Sequence, residues 1–141
     1  MTPASAVAVG VTFVWLGMVL AVSFLETPLK FRAPGVDLRI GLGIGRLVFR
    51  ALNSVEAVLA AVLIIMITVG GAQAGIVVAA VVAVAVLAVQ LGAVRPRLTR
   101  RSDRVLAGED VPRSRGHHAY VAFEIAKVAA LLATGILLLA A

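Results

Sequence analysis

The stretch FLETPLKFRAPGV, residues 24–36, decides how this chain is to be read. Residues 5–23 before it carry no charge, and then Glu26, Pro28, Lys30, Arg32 and Pro34 follow in quick succession. About twenty apolar residues in a helix are enough to cross roughly 30 Å of hydrocarbon. Neither proline is expected to continue an α-helix. The break therefore reads as the place where a membrane span ends and the chain enters the interface. Leu29 and Phe31 are positioned to dip into the acyl boundary, while Lys30 and Arg32 reach for phosphate headgroups.

Outward from that break the same pattern repeats. Of 141 residues 62% are hydrophobic and 14% charged, more apolar surface than one small soluble core can hide. Residues 5–25, 47–69, 76–94 and 119–141 are each long and apolar enough to span a bilayer. The fold class is thus all-α, a polytopic integral membrane four-helix bundle in a single domain covering residues 1–141. Residues 26–46 and 95–118 form the two long loops. The first span lacks a cationic leader, and its apolar run ends in Phe24-Leu25-Glu26 rather than a small-residue cleavage site, so it is expected to be retained. Cysteine is absent, which removes disulfides, thiolate metal sites and cysteine nucleophiles.

The cations give the orientation. Lys30, Arg32, Arg39, Arg46 and Arg50 lie in or just past the first long loop, and Arg95, Arg97, Arg100, Arg101, Arg104, Arg113 and Arg115 lie in the second. GGAQAG at residues 70–75 has no charge and suits a tight hairpin between spans. Short cationic loops resist translocation, so both long loops are expected in the cytoplasm and both termini outside, as in a bacterial inner membrane. Anionic lipid headgroups are the expected partners of Lys30, Arg32, Arg95, Arg97, Arg100 and Arg101. No nucleic-acid role is assigned, because no aromatic residues interleave with the arginines. VDLRIGLGI, residues 36–44, alternates at period two, and an isolated strand cannot satisfy its edges in lipid. An interfacial loop is expected there, with the second helix starting near Gly45. Gly41, Gly43 and Gly45 form no phosphate-binding fingerprint, since no P-loop lysine and no strand-turn-helix context accompany them. Flexibility and close backbone packing are expected instead.

The polar residues within the spans carry the functional argument. Thr12, Trp15, Val19, Ser23 and Glu26 share a face at about 100° per residue. So do Arg46, Arg50, Asn53 and Glu56 on the second span, Ala79, Ala83, Val86 and Gln90 on the third, and His117, Tyr120, Glu124 and Lys127 on the fourth. Counted from the cationic end, Glu56 and Lys127 lie about 12–15 Å deep at about 1.5 Å per residue, with Gln90 and Glu124 shallower and Glu26 at the boundary. Charges at such depth cost at least about 2.5–3.5 kcal/mol and are expected to turn inward and pair. Glu124 and Lys127 are spaced i,i+3, and Glu56 reaches them from a facing helix. Glu26 is expected at the mouth, neutralised by Arg46, Arg50 or His117.

Glu26, Asn53, Glu56, Gln90, His117, Tyr120, Glu124 and Lys127 are therefore the candidate ligand- or ion-binding residues. No catalytic residue, metal set or cofactor is assigned. The carboxylates and histidine lack the Glu-x-x-His pattern of di-iron bundles. His117 and His118 diverge by about 100° on a helix and have no axial partner on another span. Ser23 and Ser54 have no histidine that spacing would select as a base. Trp15 is expected as a core aromatic. Gly10, Gly17 and Ala21 line the opposite side of the first span and are the expected surface for a homo-oligomer.

The segments SFLETPLKF, IGRLVFRALNSVE, VQLGAVRPRL and HHAYVAFEIAK resemble, in layout, the small four-span membrane family that includes transmembrane protein 205. The resemblance implies an integral membrane protein without settled biochemistry. Glu26-Thr27 before the proline and the doubled histidine depart from it, so no residue role is carried over. Two functions stay open on the residues. One is a protein that binds or conducts a proton, ion or small polar molecule through a polar cavity in its cytoplasmic half. The other is an accessory or assembly subunit whose ion pairs are purely structural. A metal- or haem-binding membrane enzyme is the third and has the least in the sequence to carry it.

Overall fold

The structure, a computed structural model, describes residues 1–110 and 115–141, with side chains in the last stretch from His117 onward. Arg113 and the side chain of Arg115, counted above among the loop cations, lie outside the described residues. Among those described there is no strand, and the chain is an all-α bundle of four helices. We label them α1 (Pro3–Lys30), α2 (Leu38–Val69), α3 (Ala74–Leu106) and α4 (Arg115–Ala140). Each is long and apolar enough to cross a membrane, which makes this a multi-pass membrane protein. Large apolar side chains such as Val14, Leu47, Val58, Val78 and Ile125 point outward, as lipid-facing positions should.

The helices run well past the expected bounds, and the reasons are local. Pro28 does not end α1, and Pro96 does not end α3. Residues Leu20–Glu26 and Gln90–Val94 widen into π-helical turns immediately ahead of each proline. At the exits, Thr27 and Arg95 donate backbone N–H groups to carbonyls five residues back, at Val22 and Gln90. The wider turn supplies the space that a proline ring otherwise takes from the carbonyl four residues earlier. The Thr27 hydroxyl adds a 2.9 Å hydrogen bond to the Val22 carbonyl.

Residues 38–44, expected as a loop, are the first turns of α2. Asp37 caps them, its side chain accepting from the Ile40 N–H at 2.9 Å. Period two was the wrong guide there, because a cap outweighs a short alternation. Gly41 and Gly45 are closely packed, but as helix rather than flexible loop, since a Cβ on Gly41 would run into the Phe31 ring; Gly43, expected to pack likewise, would bring its Cβ within 4 Å of nothing. α2 and α3 end alike, with Gly71 (φ 62°) and Gly108 (φ 94°) in the left-handed conformation just past the last turn.

Both termini and the 70–73 turn lie at one end, where Gly70 approaches Ala4 and Gly75 approaches Leu137. The cationic connections lie at the other end, tied by an Arg46–Asp103 ion pair at 2.6 Å. α1 packs against α2 and α4, and α4 against α3. Where α1 and α4 meet, Phe13 lies over Gly135 so closely that a Cβ there would sit 2.6 Å from the ring. The terminal half is a dry core around Leu63, Ala80, Ala83 and Leu131. Thr12 and Thr134 are buried in it, their hydroxyls satisfied by carbonyls four residues back at 2.7 Å.

Candidate functional site

At the level where the dry core ends, one buried face from each helix meets the others. The 3.6-residue period brings Trp15 from α1, Glu56 from α2, Gln90 from α3, and Glu124 and Lys127 from α4 to the same depth. All five are at most 2% exposed. Lys127 Nζ sits 2.6 Å from Glu56 Oε1 and 2.6 Å from Glu124 Oε1, and it donates to Gln90 Oε1 at 2.8 Å. An ammonium has three N–H groups, and here each has an acceptor. Gln90 Nε2 donates to Glu124 Oε1 at 2.8 Å, and Trp15 Nε1 donates to Glu56 Oε1 at 2.9 Å. Ser23 Oγ donates to Glu124 Oε2 at 2.5 Å.

Of the convergence expected of Glu26, Glu56, Glu124 and Lys127, the structure brings together Glu56, Glu124 and Lys127, and Gln90 joins them. Trp15 is more than the expected core aromatic, since its indole N–H anchors Glu56. Two carboxylates share one ammonium, so the formal count of the network is one negative charge. Glu56 Oε2 is buried with no hydrogen-bond partner.

Toward the cationic end the four helices splay around a cavity of about 830 Å³. Ser23 and Glu124 line its inner end. Asn53, His117 and Tyr120 line its walls, together with Lys30, Arg46, Arg50, Arg95 and Arg101. Three expectations change here. Glu26 does not line the cavity and is not paired with Arg46, Arg50 or His117; Lys30, one turn further along α1, lies 3.7 Å from its carboxylate. Arg46 is taken by Asp103. Lys30 and Arg95, expected at the interface, line the cavity wall. The Lys30 side chain is 9% exposed, with Nζ 5.5 Å from the Phe31 ring centre and 5.8 Å from that of Phe49.

Arg95 is the residue that charge counting hid. Its guanidinium carbon lies 4.5 Å from the ring centres of both Phe49 and Tyr120. Those rings meet edge to face at 88°, so the guanidinium occupies the corner between them. Its Nε and Nη2 are buried without an acceptor, as is the Tyr120 hydroxyl. Among the described residues, no group of three or more His, Asp or Glu side chains is placed to hold a metal ion. Gly10, Gly17 and Ala21 are exposed on the outer side of α1, and a Cβ at either glycine would meet nothing within 4 Å. The chain matches no family model, no curated protein and no solved structure.

Proposed function

We propose that this protein binds, or passes across the membrane, a proton, ion or small polar molecule, using the cavity at the cationic end of the bundle. That end faces the cytoplasm in this reading, because cationic loops resist translocation. One observation carries it. A network that served packing alone would be sealed, yet Glu124 belongs both to the buried cluster and to the wall of an open cavity. Solute or protons arriving through the cavity meet Ser23 and Glu124 first, and behind them Lys127 and Glu56. Asn53 and Tyr120 supply further hydrogen-bonding groups on the way.

The test is flux in proteoliposomes, with a trapped pH dye and, separately, ion-sensitive dyes under an imposed potential. Gly43→Phe places a ring at the cavity wall where a Cβ meets nothing within 4 Å, and Glu124→Gln removes the charge at the inner end. Wild-type flux lowered by both substitutions is the expected result. Flux indistinguishable among wild type, both variants and empty liposomes, with no small molecule retained by the purified protein, overturns the proposal.

A second reading has its own support. Every N–H of Lys127 is already engaged, which suits an accessory subunit whose network only fixes helix register. That reading expects a stoichiometric protein partner on isolation in mild detergent. It also expects Glu56→Gln with Glu124→Gln to lower abundance rather than a flux.

A further inference from the structure

We propose that the cavity is a receptor for a phosphate group, held by Arg95 and Tyr120, and resting on the solute-binding reading given above. Nε and Nη2 form the side-on edge of a guanidinium, two nearly parallel N–H groups spaced to grip two oxygens of one oxyanion. In Arg95 both are buried and neither has an acceptor, and the neighbouring Tyr120 hydroxyl is buried within reach of Arg95 without a well-formed hydrogen bond. Buried polar groups are nearly always satisfied, and a cation left so is the costlier exception. Phe49 and Tyr120 flank the guanidinium on two adjacent sides, each ring centre 4.5 Å from its central carbon, and Arg95 itself lines the cavity. Lys30 and Arg50 add positive charge to the same wall.

Depth and shape agree with this chemistry. Counted from the turn at 70–73, about twenty residues at about 1.5 Å each span the hydrocarbon. On α2 that count ends near Arg50, and on α3 near Arg95. The corner that holds the guanidinium thus lies at the level of lipid phosphates. The cavity is several times the size of a phosphate, and Phe24, Phe31, Leu38, Leu42 and Leu98 give it apolar walls. A phosphate carried by a lipid or another amphiphile fits these walls, and free phosphate presents the same oxygens to Arg95.

The experiment uses full-length protein in mild detergent and in nanodiscs. One arm titrates inorganic phosphate; the other compares nanodiscs of phosphatidylcholine alone with nanodiscs containing 10% phosphatidic acid. Bound species are counted by native mass spectrometry. The expected result is one retained phosphate-bearing molecule per chain, weakened about 10-fold or more by Arg95→Gln and several-fold by Tyr120→Phe. Arg39→Gln, an exposed cation off the cavity, is expected to leave it unchanged. Tyr120→Phe keeps the ring beside Arg95, so it decides the matter if Arg95→Gln does not fold. Equal losses for Arg39→Gln and Arg95→Gln would mean diffuse surface attraction and overturn the site. Phosphate retained only in the free arm, or only in the lipid arm, keeps the site and names its source. A different solute, retained by wild type and lost in Gly43→Phe, overturns the phosphate assignment and leaves the solute-binding reading standing; no retained molecule and no flux remove both.

Discussion

Lys127→Met gives the sharpest test of the buried network. The substitution keeps an unbranched side chain of similar length but removes three N–H donors at once. Two carboxylate oxygens, each 2.6 Å from the ammonium, are left facing each other in a site with no exposure. Breaking a buried pair from one side costs about 3–5 kcal/mol, because the remaining charge keeps its desolvation penalty and loses its compensation. Glu56→Gln acts differently. The amide oxygen still accepts from Lys127, the ammonium keeps Glu124 and Gln90, and the formal count falls to zero. Its cost is about 1 kcal/mol, that of weakening one charge-assisted hydrogen bond. At roughly 3–4 °C per kcal/mol for a chain of this length, Lys127→Met lowers the apparent melting temperature by roughly 10–20 °C and Glu56→Gln by only a few degrees. Size-exclusion profiles after stepwise heating in one detergent measure both. A Lys127→Met protein melting within about 2 °C of wild type, or a Glu56→Gln protein equally damaged, would refute the reasoning.

Other expectations follow from the same geometry. Removing all three charges together, as Lys127→Met, Glu56→Gln and Glu124→Gln, should melt above Lys127→Met alone, since no charge is then left stranded; the same heating assay reads it. Gly135→Ala forces the Phe13 ring aside from a 2.6 Å approach and should cost about 1–3 kcal/mol. Gly17→Ala, where a Cβ meets nothing within 4 Å, should be neutral or stabilise by up to about 1 kcal/mol. Arg46→Gln breaks an ion pair whose side chains are 41% and 54% exposed, so its effect should stay within about 1 kcal/mol and shrink with added salt. The chain has no cysteine, so Gln73→Cys and Ala107→Cys each introduce a single thiol, at opposite ends of the bundle. An impermeant maleimide should label the first only from outside the cell and the second only from inside.

The four helices were legible because lipid imposes length and composition, and both survive in one sequence. The pairing of Glu56, Glu124 and Lys127 was legible because a 3.6-residue period and a count of depth place them without coordinates; Gln90 was placed on its face but not bridged to Lys127 and Glu124. The ends of the helices were not. Pro28 and Pro96 carry a strong local signal to stop, and the π turns that override it leave no composition of their own. Asp37 was a readable cap, but the alternation after it drew the reading toward a loop. Arg95 was counted with the loop cations because the sequence shows charge and not direction. Its pairing with Phe49 and Tyr120 depends on three helices meeting, and no spacing within one helix announces that. Ser23 was placed on the polar face of the first span with Trp15, but its bond to Glu124 runs from α1 to α4 and no spacing within one helix announces it.

The two wide turns have one more effect. A hydrogen bond reaching back five residues instead of four lodges one surplus residue in the coil while the helix beyond it keeps its facing. Regular winding imposed on the undeleted stretch Leu20–Glu26 would swing Thr27, Lys30 and Phe31 by about 100°. Lys30 would then leave the cavity and Phe31 would lift from Gly41. Loss of a single codon within that stretch removes the surplus residue and leaves the later side chains where they are, so a one-residue deletion is better tolerated there than in the regular turns of α1.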